Sequence, residues 1–282
     1  MTTLTPPPAT PDEAAPSSTA TPPRHPAGKA VAITAIVIGA VILGGTVVSG
    51  AANAVTSSLP TSSQTLTAST AGVTEVDVDA SAALFELRFD DVDEARLEVT
   101  SGRSAWRMER DGDELKISAP DGFFGIGWIG QQPRVMLTLP RTLEGVDASL
   151  TLSAGELRAT GTFGDLDTHL SAGSLIVSGE ARTIDTSMSA GSSDIRLSGV
   201  TEAEFELSAG DLTAELTGSA PRSVDIGVSA GSADVTVPRG NYDVRSNVEA
   251  GGVDNRLSAS SGPRIPVKVR VSAGDVTLRD NG

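Results

Sequence analysis

The sequence predicts an all-β protein, a parallel β-solenoid (β-helix-like) repeat domain preceded by one transmembrane helix. Three observations lead to this prediction. The triplet Ser-Ala-Gly, once written Glu-Ala-Gly, occurs seven times in the second half of the chain. Apolar and polar residues alternate around each triplet, and an uncharged apolar run lies near the amino terminus. A repeat period near 20 residues is typical of architectures in which successive repeats stack on one another.

The triplets predict the corners of the repeat. Residues three and seven positions before each triplet glycine are apolar in all seven repeats, as expected for strands with one buried face. We expect the triplet alanine to continue this inward row. The alternation changes phase across the triplet, so one residue must form a bend, where glycine accepts a positive φ. The corner glycines are Gly155, Gly173, Gly191, Gly210, Gly231, Gly251 and Gly274.

A second set of glycines predicts the opposite corner of the repeat. Two strand arrangements are compatible with these corners. In a solenoid, equivalent strands stack in parallel about 4.8 Å apart and cover their own interior. In an antiparallel meander each triplet would be a hairpin turn, and the apolar face would need another layer. No segment after residue 146 supplies that layer, which favours the solenoid over 146–282. The second glycines are Gly161, Gly179, Gly199, Gly218, Gly240 and Gly262.

The amino-terminal 72 residues predict a leader, a membrane anchor and a stalk. Residues 1–29 are rich in Pro, Thr, Ser and Ala, which predicts a disordered cytoplasmic leader. Residues 30–52 carry no charge and would form a helix about 35 Å long, enough to cross a bilayer. Residues 53–72 contain the Ser/Thr-rich segment predicted as a flexible stalk.

Basic residues set the predicted orientation of this anchor. Arg24 and Lys29 precede the apolar run, and no basic residue follows it until Arg88. The positive-inside rule therefore places the amino terminus in the cytoplasm and the repeats outside a single-pass cell membrane. A cleaved signal peptide is the alternative, because Ala52-Asn53-Ala54 resembles a cleavage site. Both alternatives export the repeats.

Composition excludes several function classes. The chain has no cysteine, so it forms no disulfide and has no thiolate metal ligand or cysteine nucleophile. Its formal net charge is −15. An acidic surface of this kind repels nucleic acid and anionic lipid headgroups, so we expect no nucleic-acid partner.

Residues 73–145 predict an irregular β region that forms the entrance or cap of the solenoid. Strand-like alternation continues there without the triplet, and one loop of this region is unusually apolar. This loop either covers the open end of the first coil or contacts a partner or the membrane surface. A disordered or swapped loop is the remaining alternative. The candidate interaction residues are Phe123, Phe124, Ile126, Trp128 and Ile129.

Candidate catalytic and metal-binding residues are few. His169 is the single histidine outside the leader, and alternation points it outward, so neither a catalytic histidine nor a multi-histidine metal site is predicted. Paired carboxylates could serve glycoside hydrolysis. The acidic residues near the triplet corner share no common offset, however, so we predict no enzyme, no cofactor and no resident metal, while loose divalent binding stays open. Those residues are Glu156, Asp194, Asp211, Asp234, Asp254 and Asp275.

The Ser-Ala-Gly strand repeats, the irregular strands with their Gly/aromatic loop and the single amino-terminal span resemble the bacterial "putative adhesin" family of β-strand-repeat, membrane-anchored surface proteins. The resemblance covers residues 73–280. It implies a non-catalytic surface-interaction or adhesion module, and some relatives are associated with envelope stress. The expected partner is an envelope protein or a glycan. A passive envelope spacer and a carboxylate-based, carbohydrate-active β-helix enzyme are the alternatives.

Overall fold

A computed structural model describes residues 63–100, 106–120, 133–258 and 261–281. Within these ranges the chain forms sixteen strands and one short 3-10 helix, Arg141–Leu143, which confirms the all-β prediction. The strands are β1 Gln64–Ala68, β2 Glu75–Ala80, β3 Ala83–Asp90, β4 Ala95–Thr100, β5 Arg107–Asp111, β6 Glu114–Ser118, β7 Arg134–Pro140, β8 Val146–Leu152, β9 Gly155–Leu170, β10 Ser174–Met188, β11 Ser192–Ser198, β12 Glu202–Leu207, β13 Asp211–Thr217, β14 Ser223–Val237, β15 Asn241–Arg256 and β16 Arg264–Asp280.

Equivalent strands of successive repeats pair in parallel, so the repeat does not form an antiparallel meander. We use the word coil for the segment that leads to a triplet glycine together with the segment that leaves it, and name each coil after its glycine. Between β9 and β10, Leu166 pairs with Ile184 and Leu170 with Met188. The same offset of one repeat relates β10 to β11 and β12.

The triplet glycines of neighbouring coils lie against one another. All seven have positive φ, between 104° and 150°. A Cβ built on Gly173 would lie 2.2 Å from the carbonyl oxygen of Gly155, which is too close for any side chain. The corner therefore requires glycine both for its backbone conformation and for the close approach of the next coil.

The spacing of the triplet glycines does not reveal one further coil, because the triplet of that coil ends in alanine. Strands β2 and β3 flank Ser81-Ala82-Ala83 and pair in parallel with β8 and β9, so that Ala80 pairs with Leu152 and Ala83 with Gly155. In this coil the positive φ, 50°, falls on Ala82. The Ala83 coil therefore begins the regular stack 72 residues before Gly155 in the chain.

Antiparallel strands cover the amino-terminal end of the stack. Strands β6 and β7 pair in parallel with β2 and β3. Beyond them, β5 pairs antiparallel with β6, β4 with β7, and β1 with β4. Strand β1 lies within the range predicted as a stalk, and Gln64 there exchanges two hydrogen bonds, 3.0 and 3.1 Å, with the backbone of Trp106.

At the carboxy-terminal end, the order of the coils in space differs from their order along the chain. Strand β16 pairs with β14 on one side and with β15 on the other. The Gly274 coil therefore lies between the Gly231 and Gly251 coils, and β15 is the last of the described strands in the stack. Asn281 fixes this end by donating its backbone N–H to the Val237 carbonyl at 2.9 Å and its side-chain amide to the Leu216 carbonyl at 2.9 Å.

The core is a continuous set of inward rows from both segments of each coil. Leu166, Leu170, Leu175 and Val177 are buried, as their alternation predicts. Thr168 and Thr186 are buried in the same rows and hydrogen-bond to each other at 2.9 Å.

The expectation for the triplet alanines is wrong. Ala172, Ala190, Ala230, Ala250 and Ala273 are exposed. The corner takes in the whole triplet, with the positive φ on the glycine that follows the alanine. The inward rows therefore stop three residues before the glycine and resume two residues after it, and the triplet projects from the corner.

Among the residues that the structure describes, no helix is long and apolar enough to cross a membrane. The predicted leader, 1–29, and the predicted span, 30–52, lie outside the described residues.

Candidate functional site

The predicted interaction loop has well-defined attachment points. Its residues Phe123, Phe124, Ile126, Trp128 and Ile129 lie outside the described residues. At one end the Ala119 N–H donates to the Asp79 carbonyl at 2.9 Å, and at the other the Leu84 N–H donates to the Pro133 carbonyl at 2.9 Å. The loop therefore leaves and re-enters beside Ser81-Ala82-Ala83, where other coils have their triplet.

Aromatic residues of the same end pack inside the described part of the protein. Phe85 and Trp106 lie with ring centroids 5.7 Å apart, and both are buried. Phe89 and Phe163 make a second, edge-on contact at 5.6 Å. These aromatic residues of the entrance region thus contribute to the core of the described residues.

An acidic row crosses the outer face of the segments that lead to the triplets. It consists of Asp167, Asp185, Glu204 and Asp225, each six residues before its triplet glycine and each paired in register with the next. The same position carries Lys268 in the Gly274 coil and Arg245 in the Gly251 coil. The face therefore changes from acidic to basic toward the last coil.

Partial burial and mutual repulsion perturb this row. Burial raises the pKa of Asp185 to about 6, with Glu204 and Asp167 adding to the effect. Burial also raises the pKa of Asp167, while nearby His169 acts in the opposite direction. Lys268 offsets the negative charge of Asp225, the last member of the row, through an ion pair of 3.3 Å.

A shallow groove lies beside the row, and an arginine that contacts two aspartates lines it. Arg182 contacts Asp165 at 2.6 Å and Asp147 at 3.4 Å. Its guanidinium lowers the pKa of the Asp165 carboxyl. The groove, with a volume of about 360 Å³, is also lined by Leu143 and Thr74. Arg182 therefore offsets the negative charge of both carboxylates.

The acidic residues chosen from the sequence lie on the other outer face, mostly in local ion pairs. Glu156 pairs with Arg158 at 2.5 Å and Asp194 with Arg196 at 2.9 Å. Asp234 pairs with Arg279, Asp254 with Arg256, and Asp211 accepts a hydrogen bond from Ser232. Asp275 pairs in register with Ser232 and Gly252.

The acidic row lies before the glycine, whereas the candidate carboxylates chosen from the sequence lie after it. Counting backward from the glycine reveals it: position minus six is acidic in four consecutive repeats from 167 to 225. No group of three or more His, Cys, Asp or Glu side chains among the described residues is arranged to hold a metal ion.

We expect Asp185→Asn to stabilise the protein at pH 7. Because its folded-state pKa is raised, the stability linked to Asp185 is present at low pH and is lost as the pH rises through about 6. Solvent screening of this half-exposed group reduces the gain in unfolding free energy to about 1 kcal/mol. Urea unfolding at pH 5 and pH 7 measures it, and the gain should shrink at pH 5.

Asp165→Asn is the matched control one coil away, with the opposite sign. Its pKa is lowered by Arg182, so its stabilising effect is present at neutral pH and is lost as the pH falls. We expect this variant to lose about 1 kcal/mol at pH 7. Equal effects of the two substitutions would contradict the assignment.

Comparisons with known proteins do not assign the chain to a family. It matches no protein-family model and no curated protein. Solved structures with similarity include a "putative cell adhesion protein" from Clostridium sporogenes, 11% identical, covering 79% of this chain and 100% of that one, TM-score 0.38. A "putative adhesin" from Parabacteroides distasonis is 15% identical, with coverages of 78% and 98% and a TM-score of 0.42. Another from Bacteroides fragilis is 13% identical, with coverages of 78% and 97% and a TM-score of 0.39. At these values the similarity carries no argument about function.

Proposed function

We propose that this chain is a non-catalytic interaction module, a β-solenoid displayed outside the cell and tethered to the cell membrane by residues 30–52. Parallel pairing of equivalent strands and inward rows from both segments of each coil support the solenoid. The uncharged run that follows Arg24 and Lys29 supports the tether. An envelope protein or a glycan is the proposed partner class.

The observation that carries this proposal is the difference between the two ends of the stack. The chain enters the described domain through β1, at the end covered by antiparallel strands. The opposite end finishes in β15, whose inward positions are partly buried or exposed and none fully buried. The end at which the chain enters is therefore covered, whereas the opposite end offers an incompletely buried strand for contact with another molecule.

The outer faces fit a role in a crowded aqueous envelope. The acidic row and the ion pairs of the other face keep a long β surface charged and soluble. The charge also disfavours adsorption to anionic lipid and nucleic acid, which leaves the ends of the stack as the sites for specific contact.

Protease treatment of intact cells tests the proposed topology. We expect protease to remove an epitope placed at Gly282 and to leave an epitope at Thr2 intact, because only the former would be outside. Permeabilised cells are the control, and both epitopes should then be lost. Survival of the Gly282 epitope on intact cells would overturn the orientation.

Attachment assays separate an interaction module from a passive spacer. Cells that display the full chain should attach to one another or to envelope-coated surfaces more than cells without it. A spacer leaves attachment unchanged. Unchanged attachment, with surface display established by the protease test, would therefore reject the interaction role.

A further inference from the structure

Strand β15 leaves one backbone edge without a partner strand among the described residues. It pairs with β16 along 241–256, and no other described strand pairs with its opposite side. Val248 is 37% exposed, whereas the equivalent Val271 of β16 is 2% exposed. A long edge strand with an unpaired side and an incompletely buried apolar row is a ready template for another strand.

The charges of β15 are arranged symmetrically about its corner. On the segment that leads to the corner, Asp243 and Arg245 form an ion pair of 3.1 Å. On the segment that leaves it, Asp254 and Arg256 form one of 2.5 Å. Asp243 lies six residues before Glu249, and Arg256 lies six after Ala250. Arg245 likewise lies four residues before Glu249, and Asp254 lies four after Ala250.

We propose that β15 pairs antiparallel with β15 of a second copy of this chain, about a two-fold axis between Glu249 and Ala250. Such an axis carries the segment that leads to the corner onto the segment that leaves it and reverses its direction. Asp243 then lies opposite the partner's Arg256, and Arg245 lies opposite the partner's Asp254. A self-complementary surface is what a two-fold dimer requires.

Charge selects this register over its neighbours. A shift of two residues in one direction places Asp243 opposite the partner's Asp254, and in the other direction it places Arg245 opposite the partner's Arg256. Directly opposed like charges destabilise strand pairing. A shift by one residue would place inward side chains opposite outward ones.

The inward side chains also match in this register. Tyr242 lies opposite the partner's Leu257, and Ser246 lies opposite the partner's Val253. Tyr242, Val253 and Leu257 are partly buried hydrophobic residues that pack against the core of their own copy. Pairing would continue the two cores into each other and cover the apolar row of β15.

Together with the proposed function, on which this step depends, the dimer has a direct consequence. The two-fold axis places the amino-terminal ends at opposite ends of the pair. Copies tethered at those ends would lie on two facing membranes. The dimer would then join two cells through identical molecules.

Two charge variants of the full-length chain test the dimer. In the acidic-edge variant, Arg245→Asp and Arg256→Asp make all four positions acidic. In the basic-edge variant, Asp243→Arg and Asp254→Arg make them basic. We expect sedimentation equilibrium to give twice the 28.6 kDa chain mass for the unchanged protein. Each variant alone should dissociate at least tenfold more readily, and an equimolar mixture should restore the dimer.

Arg196→Asp is the matched control, because Asp194 and Arg196 occupy the same positions in the Gly191 coil as Asp254 and Arg256 do in β15. It should leave the dimer unchanged, and thermal melts establish that every variant is folded. An unchanged protein that stays monomeric overturns the proposal. So does a folded variant that still dimerises alone, or a mixture that stays monomeric.

Cell clumping with mixed populations then tests the facing-membrane arrangement. Cells that display either variant should not clump alone but should clump when mixed. A monomeric protein whose Gly282 epitope is accessible on cells would reject the dimer and retain surface display. A dimer whose Gly282 epitope is protected on cells would retain the dimer and reject surface display.

Discussion

Replacing Gly210 with alanine is expected to lower the free energy of unfolding by about 3 kcal/mol or more. The backbone of Gly210 has a φ of +108°, and a Cβ there would lie 2.1 Å from the Gly191 carbonyl oxygen. That oxygen already accepts a hydrogen bond of 3.0 Å from the Asp211 N–H. The substitution therefore adds about 1–3 kcal/mol of backbone strain and also separates two stacked corners.

Gly112→Ala is the control, since it has a φ of +64° but no atom within 4 Å of the new Cβ. It should cost about 1 kcal/mol, from the backbone conformation alone. Urea unfolding of both variants gives the comparison. Equal losses would show that the approach of neighbouring coils contributes nothing to the requirement for glycine at the corner.

Replacing Phe205 with alanine is expected to cost about 3–5 kcal/mol, the range for a fully buried aromatic side chain. Phe205 is completely buried and pairs in register with Thr186 and Ile226. Its own coil contributes the small inward residues Ala203 and Ala214, whereas the Gly191 coil combines Thr186 with Ile184 and Ile195. One large side chain thus fills space that smaller residues of the same coil leave open.

Val248→Ala is the matched surface control, because Val248 occupies an inward position of the exposed edge coil. We expect a loss of about 0.5 kcal/mol or less in the monomeric state. Urea unfolding at low protein concentration measures both variants. A loss at Phe205 as small as that at Val248 would mean that the interior collapses around the missing ring.

Local sequence patterns were sufficient for the strands and for the inward rows. Leu166 and Leu170 are buried where the alternation predicts burial, because side-chain direction in a strand depends only on the residue's position along it. The same reasoning failed at the triplet alanines, since alternation cannot place the residue at which the chain bends. It also missed the Ser81-Ala82-Ala83 corner, where the positive φ falls on an alanine.

The acidic row could also have been predicted, since it needs only a constant offset from the glycine. Its perturbed pKa values could not, because they arise from burial and from carboxylates that only strand pairing brings together. For Asp185 these are Asp167 and Glu204, which lie in the two adjacent coils.

The sequence by itself determined which residues form strands, where the chain turns at glycine and which rows of side chains face the interior. Only the tertiary structure decided that β16 lies between β14 and β15. The inward positions of β16 are all apolar: Val267, Val269, Val271, Val276 and Leu278. Those of β15 include Ser246 and Asn255, which are exposed at the end of the stack. Burying these two polar side chains inside the stack without hydrogen-bond partners would cost about 1–3 kcal/mol each. Strand β16, although later in the chain, therefore lies inside the stack and β15 lies at its end.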